Sequence, residues 1–237
     1  ETYLNPSICR NGAGELHVAA RENPKAWISY DDGQSWATVS ESQGGDPFLD
    51  APYDITLVCD PRPGNQTAWA LYLTGPEEGQ YRFFTARRWD GTHWSAPEVI
   101  AEQSLDDGPI YASAISATIT PDGVVVAGNV RDPNHFLTVL HDDLGWRVLP
   151  DITVRYTENM TLSVDTITGD LYMAEVHYDI PTLRWSSDNG ATWESLTLDG
   201  DMPTEDIYPG GRSWPNIVFP NGHQMGVLVR NGPNLDF

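Results

Sequence analysis

Asp54 and Glu158 each stand just ahead of an alternating apolar segment, at 55–59 and 160–164. Two carboxyl groups held across a sugar linkage, one as acid and the other as base or nucleophile, can cleave a glycosidic bond. Arg21, Arg131, Arg212, Arg230 and Trp214 occupy comparable junctions elsewhere in the chain. Guanidinium forks grip hydroxyls or a carboxylate, and an indole ring stacks on a sugar's apolar face. His177 and Tyr178 form a second candidate group. Either could abstract the C5 proton of a uronic acid while Arg212 or Arg230 neutralises its carboxylate, which is lyase chemistry. Each residue also has a plainer reading: Asp54 capping a strand, Glu158 a solvated loop residue, His177 a packing histidine. His17, His93, His135, His141 and His223 form no ligand-spaced pair, and the two cysteines lack histidine-rich surroundings, so neither a metal nor another cofactor is expected.

These residues can meet only if the elements carrying them repeat around a common centre. Residues 29–36 read SYDDGQSW and residues 186–193 read SSDNGATW, sharing Ser-x-Asp-x-Gly-x-Ser/Thr-Trp. In such a loop the Asp takes turn amides, the Gly supplies a positive φ, and the Trp plants the next strand in a core. Residues 89–94 (WDGTHW) and 141–146 (HDDLGW) are worn copies, with Trp89 at the place of the first Asp in the former. Trp36, Trp94, Trp146 and Trp193 thus recur roughly fifty residues apart, a repeat signature. Upstream of each loop lie an alternating strand, a tight turn and a second apolar strand; the Pro-Asp-Gly of 121–123 and the Asn-Gly of 221–222 are hairpin signals. A third strand, such as 26–30 or 81–85, then leads into the loop, and a fourth follows it. The predicted fold is all-β: a β-propeller of four-stranded antiparallel blades, with about 4.5 blades in a single domain of residues 1–237. A half blade is a costly edge, so the ring is expected to be completed by further sequence after the C-terminus, with six blades the expected total.

The 237 residues carry 34 acidic against 13 basic side chains, a net charge of −21. That balance excludes nucleic acid as a partner and disfavours anionic membrane surfaces. It suits a secreted or extracellular protein, although a GC-rich or halophilic lineage would produce the same bias. No apolar run reaches the roughly 18 residues a membrane span needs. Cys9 and Cys59 occupy matching places in successive repeats, and the sequence leaves open whether they are bonded or free. The sequons at Asn65 and Asn159 are short enough to arise by chance.

The octapeptide loops resemble the Asp boxes, or bacterial neuraminidase repeats, of the sialidase superfamily of propellers. There the boxes lie on the blade periphery, so the resemblance implies architecture and leaves the chemistry to the channel mouth. Residues 156–164, YTENMTLSV, resemble the sialidase stretch carrying the Glu that supports a Tyr nucleophile, which implies that role for Glu158. The sialidase Arg-Ile-Pro of the first blade reads Leu4-Asn5-Pro6 here, and residues 175–178 read EVHY with no arginine. The resulting expectation is a glycan-active enzyme with a carbohydrate substrate, a glycoside hydrolase working through Asp54 and Glu158. The polysaccharide lyase and a non-catalytic binding propeller are the alternatives.

Overall fold

The computed structural model describes residues 6–20, 26–43, 55–75, 83–102, 115–132, 135–153, 160–177, 180–197, 215–218 and 226–229. Their elements are strands, apart from one short 3-10 turn at Glu41–Gln43. The first sheet has strands β1 (Ser7–Arg10), β2 (Leu16–Ala19), β3 (Ala26–Ser29) and β4 (Ala37–Thr38), hydrogen-bonded in chain order and antiparallel. The second repeats this with β5 (Ile55–Cys59), β6 (Ala68–Thr74), β7 (Phe83–Trp89) and β8 (Glu98–Glu102). In the third, β9 (Ser116–Ile119), β10 (Val125–Asp132) and β11 (His135–Asp142) are followed by a divided outer strand. Its halves, β12 (Gly145–Val148) and β13 (Ile152–Thr153), both pair with β11 on either side of Pro150, which has no amide hydrogen to give a ladder. The fourth sheet has β14 (Met160–Val164), β15 (Leu171–His177), β16 (Ile180–Ser186) and β17 (Glu194–Thr197), and a pair follows, β18 (Pro215–Val218) with β19 (Gly226–Val229). Four four-stranded blades and a further strand pair are thus present, as the sequence predicts.

First strands of successive sheets lie side by side. Leu57 N–H donates to Ser7 Oγ at 2.8 Å, Thr56 Oγ1 to the Ile115 carbonyl at 2.6 Å, and Leu162 N–H to Ser116 Oγ at 2.8 Å. These bonds make β1, β5, β9 and β14 the inner strands. Both faces of an inner sheet are apolar, since alternate residues must pack against one neighbour or the other. In β6, Ala68, Ala70 and Tyr72 face the first sheet while Trp69, Leu71 and Leu73 face the third, and all six are buried. A third cluster, including Phe136, Leu140, Met160 and Met173, joins the third sheet to the fourth.

Cys9 and Cys59 form a disulfide between neighbouring inner strands, settling the alternative left open by the sequence. Turn backbones also touch at this interface: Gly12 N–H donates to the Asp60 carbonyl at 2.8 Å, and Gly64 N–H to the Gly12 carbonyl at 2.9 Å. A Cβ on Gly12 would lie 1.7 Å from the Arg62 carbonyl oxygen, so this contact requires glycine. The disulfide closes a chain segment of 50 residues, which in the chain-entropy picture is worth about 4 kcal/mol. Replacing both cysteines by alanine is expected to lower the unfolding free energy from denaturant titration by an amount on that order, with a lower midpoint; an unchanged midpoint and slope would show that the crosslink constrains nothing.

Candidate functional site

Antiparallel order gives every sheet two ends of different character. At one end lie the first hairpin turn of each sheet and the loop joining its third and fourth strands. At the other, β2, β6, β10 and β15 finish, at Ala19, Thr74, Asp132 and His177. The register fixes the start of the inner strands there too, because Ile55 pairs with Tyr72 and Met160 with Glu175.

At the turn end, a buried polar residue terminates each inner strand and collects the amides of its own turn. The Asn11 carboxamide oxygen accepts from Ala13 and Glu15, and the Thr120 hydroxyl from Val124. Asp165 accepts from Ile167 and Thr168. The Asp60 carboxylate takes the Arg62 amide and guanidinium together with Asn65 Nδ2. Only the identity of a small polar residue before each turn hinted at this in the sequence.

The two full octapeptide loops are superimposable in their bonding. Ser35 donates its amide to Asp31 Oδ1 at 2.8 Å and its hydroxyl to Oδ2 at 2.6 Å; Thr192 does the same to Asp188 at 2.9 and 2.6 Å. Ser29 and Ser186 hydroxyls donate to the same aspartates and accept Gly33 and Gly190 amides at 2.8 Å. The hydrogen bonds from Ser35 and Thr192 hold both carboxyls below the usual carboxylate range. In the second loop Asp90, rather than a residue at position 89, plays this part, accepting from the Thr92 and His93 amides at 2.9 Å. Trp89 is the last residue of β7 and fully buried, so the strand continues to it, past the expected end at Thr85. The His93 amide leads the interactions that bring Asp90 down to about 2.

The loop tryptophans pack against the preceding sheet. Trp94 lies 6.1 Å from His17 of the first sheet and Trp146 lies 5.2 Å from Trp69 of the second; Trp193 packs on the cluster joining the third and fourth. Trp36 has no preceding sheet among the described residues and is 43% exposed, so the expectation that it is planted in a core fails there.

Between the first two sheets lies a buried polar cluster that the sequence did not signal. Glu15 accepts from Asn11 Nδ2 at 2.6 Å and Gln66 Nε2 at 2.9 Å, with His17 Nε2 at 3.6 Å. His17 stands edge-on to Trp89 and Trp94. Burial pushes its pKa down, opposed by the Glu15 carboxylate. A second buried pair, Glu175 with Arg184 at 3.0 Å, lies within the fourth sheet.

Of the candidates from the sequence, Asp54, Glu158, Tyr178, Arg21, Arg212, Trp214 and Arg230 lie outside the described residues. Arg131 and His177 belong to strands whose backbone is described: Arg131 at the register shift of β10, and His177 opposite Ile180 at the end of β15. Mutual side-chain distances within this group are therefore not part of the described structure. Among the described residues, no cluster of three or more His, Cys, Asp or Glu could hold a metal ion, and no helix is long and apolar enough to cross a membrane.

No protein-family model matches the chain, and no curated protein sequence does. Solved structures match by shape. The Aleuria aurantia lectin, a six-bladed β-propeller with a novel fucose recognition mode, aligns with a TM-score of 0.62 at 11% identity, covering 95% of this chain and 69% of that one. The chain is a β-propeller. AofleA of Arthrobotrys oligospora aligns over 83% of this propeller and 57% of its own chain, with a TM-score of 0.54 at 13% identity. The K499G mutant of the NanB sialidase from Streptococcus pneumoniae aligns over 73% of this propeller and 28% of its own chain, at 0.52 and 15%. Identities this low establish a shared fold.

Two acid limbs of stability follow from the shifted groups. His17 has a folded pKa below its unfolded value near 6.5, so the unfolded chain binds more protons, and stability falls as pH drops below about 6.5. Asp90 likewise contributes stability that is present above its unfolded value and lost as pH falls from about 4 towards 2. Thermal melts across pH are expected to lose the first limb in His17→Gln and only the second in Asp90→Asn. Identical pH profiles for both variants and the wild type would refute these assignments.

Proposed function

We propose that this chain is an Asp-box propeller of the sialidase superfamily type that recognises and hydrolyses an extracellular glycan at the end opposite its stapled loops. The observation carrying the proposal is the register. It starts β5 and β14 at the same end where β10 and β15 finish, so the segments bearing Asp54, Glu158, Arg131 and His177 all attach to that end. In this reading Asp54 and Glu158 form the acid and base or nucleophile pair. Arg21, Arg131, Arg212 and Arg230 hold hydroxyls or a carboxylate, and Trp214 stacks on the ring. His177 and Tyr178 line the same place.

The opposite end offers its octapeptide carboxylates little chemistry. Asp31, Asp90 and Asp188 are occupied by their own loops and held ionised, which makes them poor acids. The crosslink between Cys9 and Cys59 supports an oxidising compartment, and with the acidic surface it supports secretion. Binding without hydrolysis is a second reading, favoured because the Aleuria aurantia and Arthrobotrys proteins align over most of this chain and the first is described as a fucose lectin.

One pair of assays separates the readings. The wild type and the Asp54→Asn and Glu158→Gln variants are screened on a glycan array and against fluorogenic glycosides. Hydrolysis by the wild type that falls by about 100-fold or more in either variant, with array binding retained, is the expected result. Array binding without turnover would leave a lectin. An empty array together with absent turnover would overturn glycan recognition altogether.

A further inference from the structure

The hairpin turns of the second and third sheets fill the space beside their loops differently. Between the first and second sheets, Gln66 closes the long turn of residues 60–67 and lays its carboxamide against Glu15. It also fills the space beside Gly91, whose added Cβ would lie 2.6 Å from Gln66 Oε1. The third sheet's turn, residues 120–124, is shorter and supplies no such side chain. At the corresponding place between the second and third sheets a cleft of about 580 Å³ is left, reaching from Thr67 to Gly123 and Gly145.

Its inner surface is Trp69, with the His141 ring 4.6 Å away and the Arg88 guanidinium 5.8 Å from the indole centroid. Arg62, also in the cleft, is spent: it forks onto Asp60 and donates to the Asp122 carbonyl at 2.9 Å. Arg88 is different. Its guanidinium makes one long hydrogen bond, to Thr67 Oγ1 at 3.4 Å, and among the described residues it pairs with no carboxylate. On the third-sheet side, the carboxylates of Asp122 and Asp143 take part in no hydrogen bond or ion pair among the described residues. Free donors therefore lie on one wall and free acceptors on the other. Burial pushes the His141 pKa down, leaving a neutral imidazole that can donate and accept at once.

Carboxylates outnumber guanidiniums here, so an anionic ligand would be repelled. A neutral polyol would satisfy both walls without bringing charge. We propose that the cleft between the second and third blades binds a neutral saccharide unit, with Arg88 donating to and Asp143 accepting from its hydroxyls, and His141 completing the set beside Trp69. This site is at the stapled end of the blades and does not depend on the glycan chemistry assigned to the opposite end.

The test uses ¹⁵N-labelled chain titrated into the millimolar range with methyl glycosides of galactose, fucose and glucose, and with methyl glucuronide. Saturable shifts of the Gly123 and Gly145 amides are expected with at least one neutral glycoside. Affinity should fall at least ten-fold in Arg88→Met and Asp143→Asn, both surface changes whose folding is checked by melting, and should be unchanged in Arg212→Met. Absence of saturable shifts, equal affinity in Arg88→Met, or tighter binding of the glucuronide than of every neutral glycoside would overturn the proposal. Loss in Arg212→Met alone would assign the binding to the opposite end.

Discussion

The inner blades of this molecule depend on burying both faces of a four-stranded sheet. An isolated sheet of this size would expose a full apolar face to water, at a cost of roughly 25 cal/mol for each square ångström. The chain solves this by stacking sheets radially, so that β6 is apolar on both sides and serves two cores at once. The loop tryptophans belong to the same solution. Trp94, Trp146 and Trp193 leave their own blade to fill the seam with the preceding one, and the exposure of Trp36 shows what that position looks like without a neighbour.

Stacking sheets creates a second requirement, because turns and loops bring polar backbone into a dense seam. The chain answers locally. Asn11, Asp60, Thr120 and Asp165 satisfy their own turn amides, and the octapeptide loops satisfy theirs through Asp31, Asp90 and Asp188. Buried amides need partners, and a side chain two to five residues away is the shortest route to one. The outcome is one end of the blades defined by internal hydrogen bonds. Connections at the other end carry no such octapeptide pattern in the sequence.

The seams are similar without being equivalent. Between blades one and two, a disulfide, a glycine contact and the Glu15–His17 cluster fill the space; between two and three, a shorter turn leaves a cleft. Such differences come from a few residues in a turn, while the strands around them stay in register. Repetition therefore gives the scaffold, and departures from it give each seam its own chemistry.

Strand order, hairpin turns and the recurring loops were legible from local pattern alone, since period-two alternation and turn chemistry act over a few residues. The four complete blades fall where the spacing of Trp36, Trp94, Trp146 and Trp193 puts them, and the fifth strand pair falls on its own apolar segments. That β5 and β14 start at the end where β10 and β15 finish was also legible, as a consequence of antiparallel order. What the sequence could not fix were contacts between residues some fifty positions apart. The union of Cys9 with Cys59, the wedging of Trp94, Trp146 and Trp193 against the previous blade, and the burial of the Glu15–His17 pair against Gln66, Trp89 and Trp94 all required the sheets to be stacked. Local energetics choose strands and turns; only packing chooses which of their side chains meet.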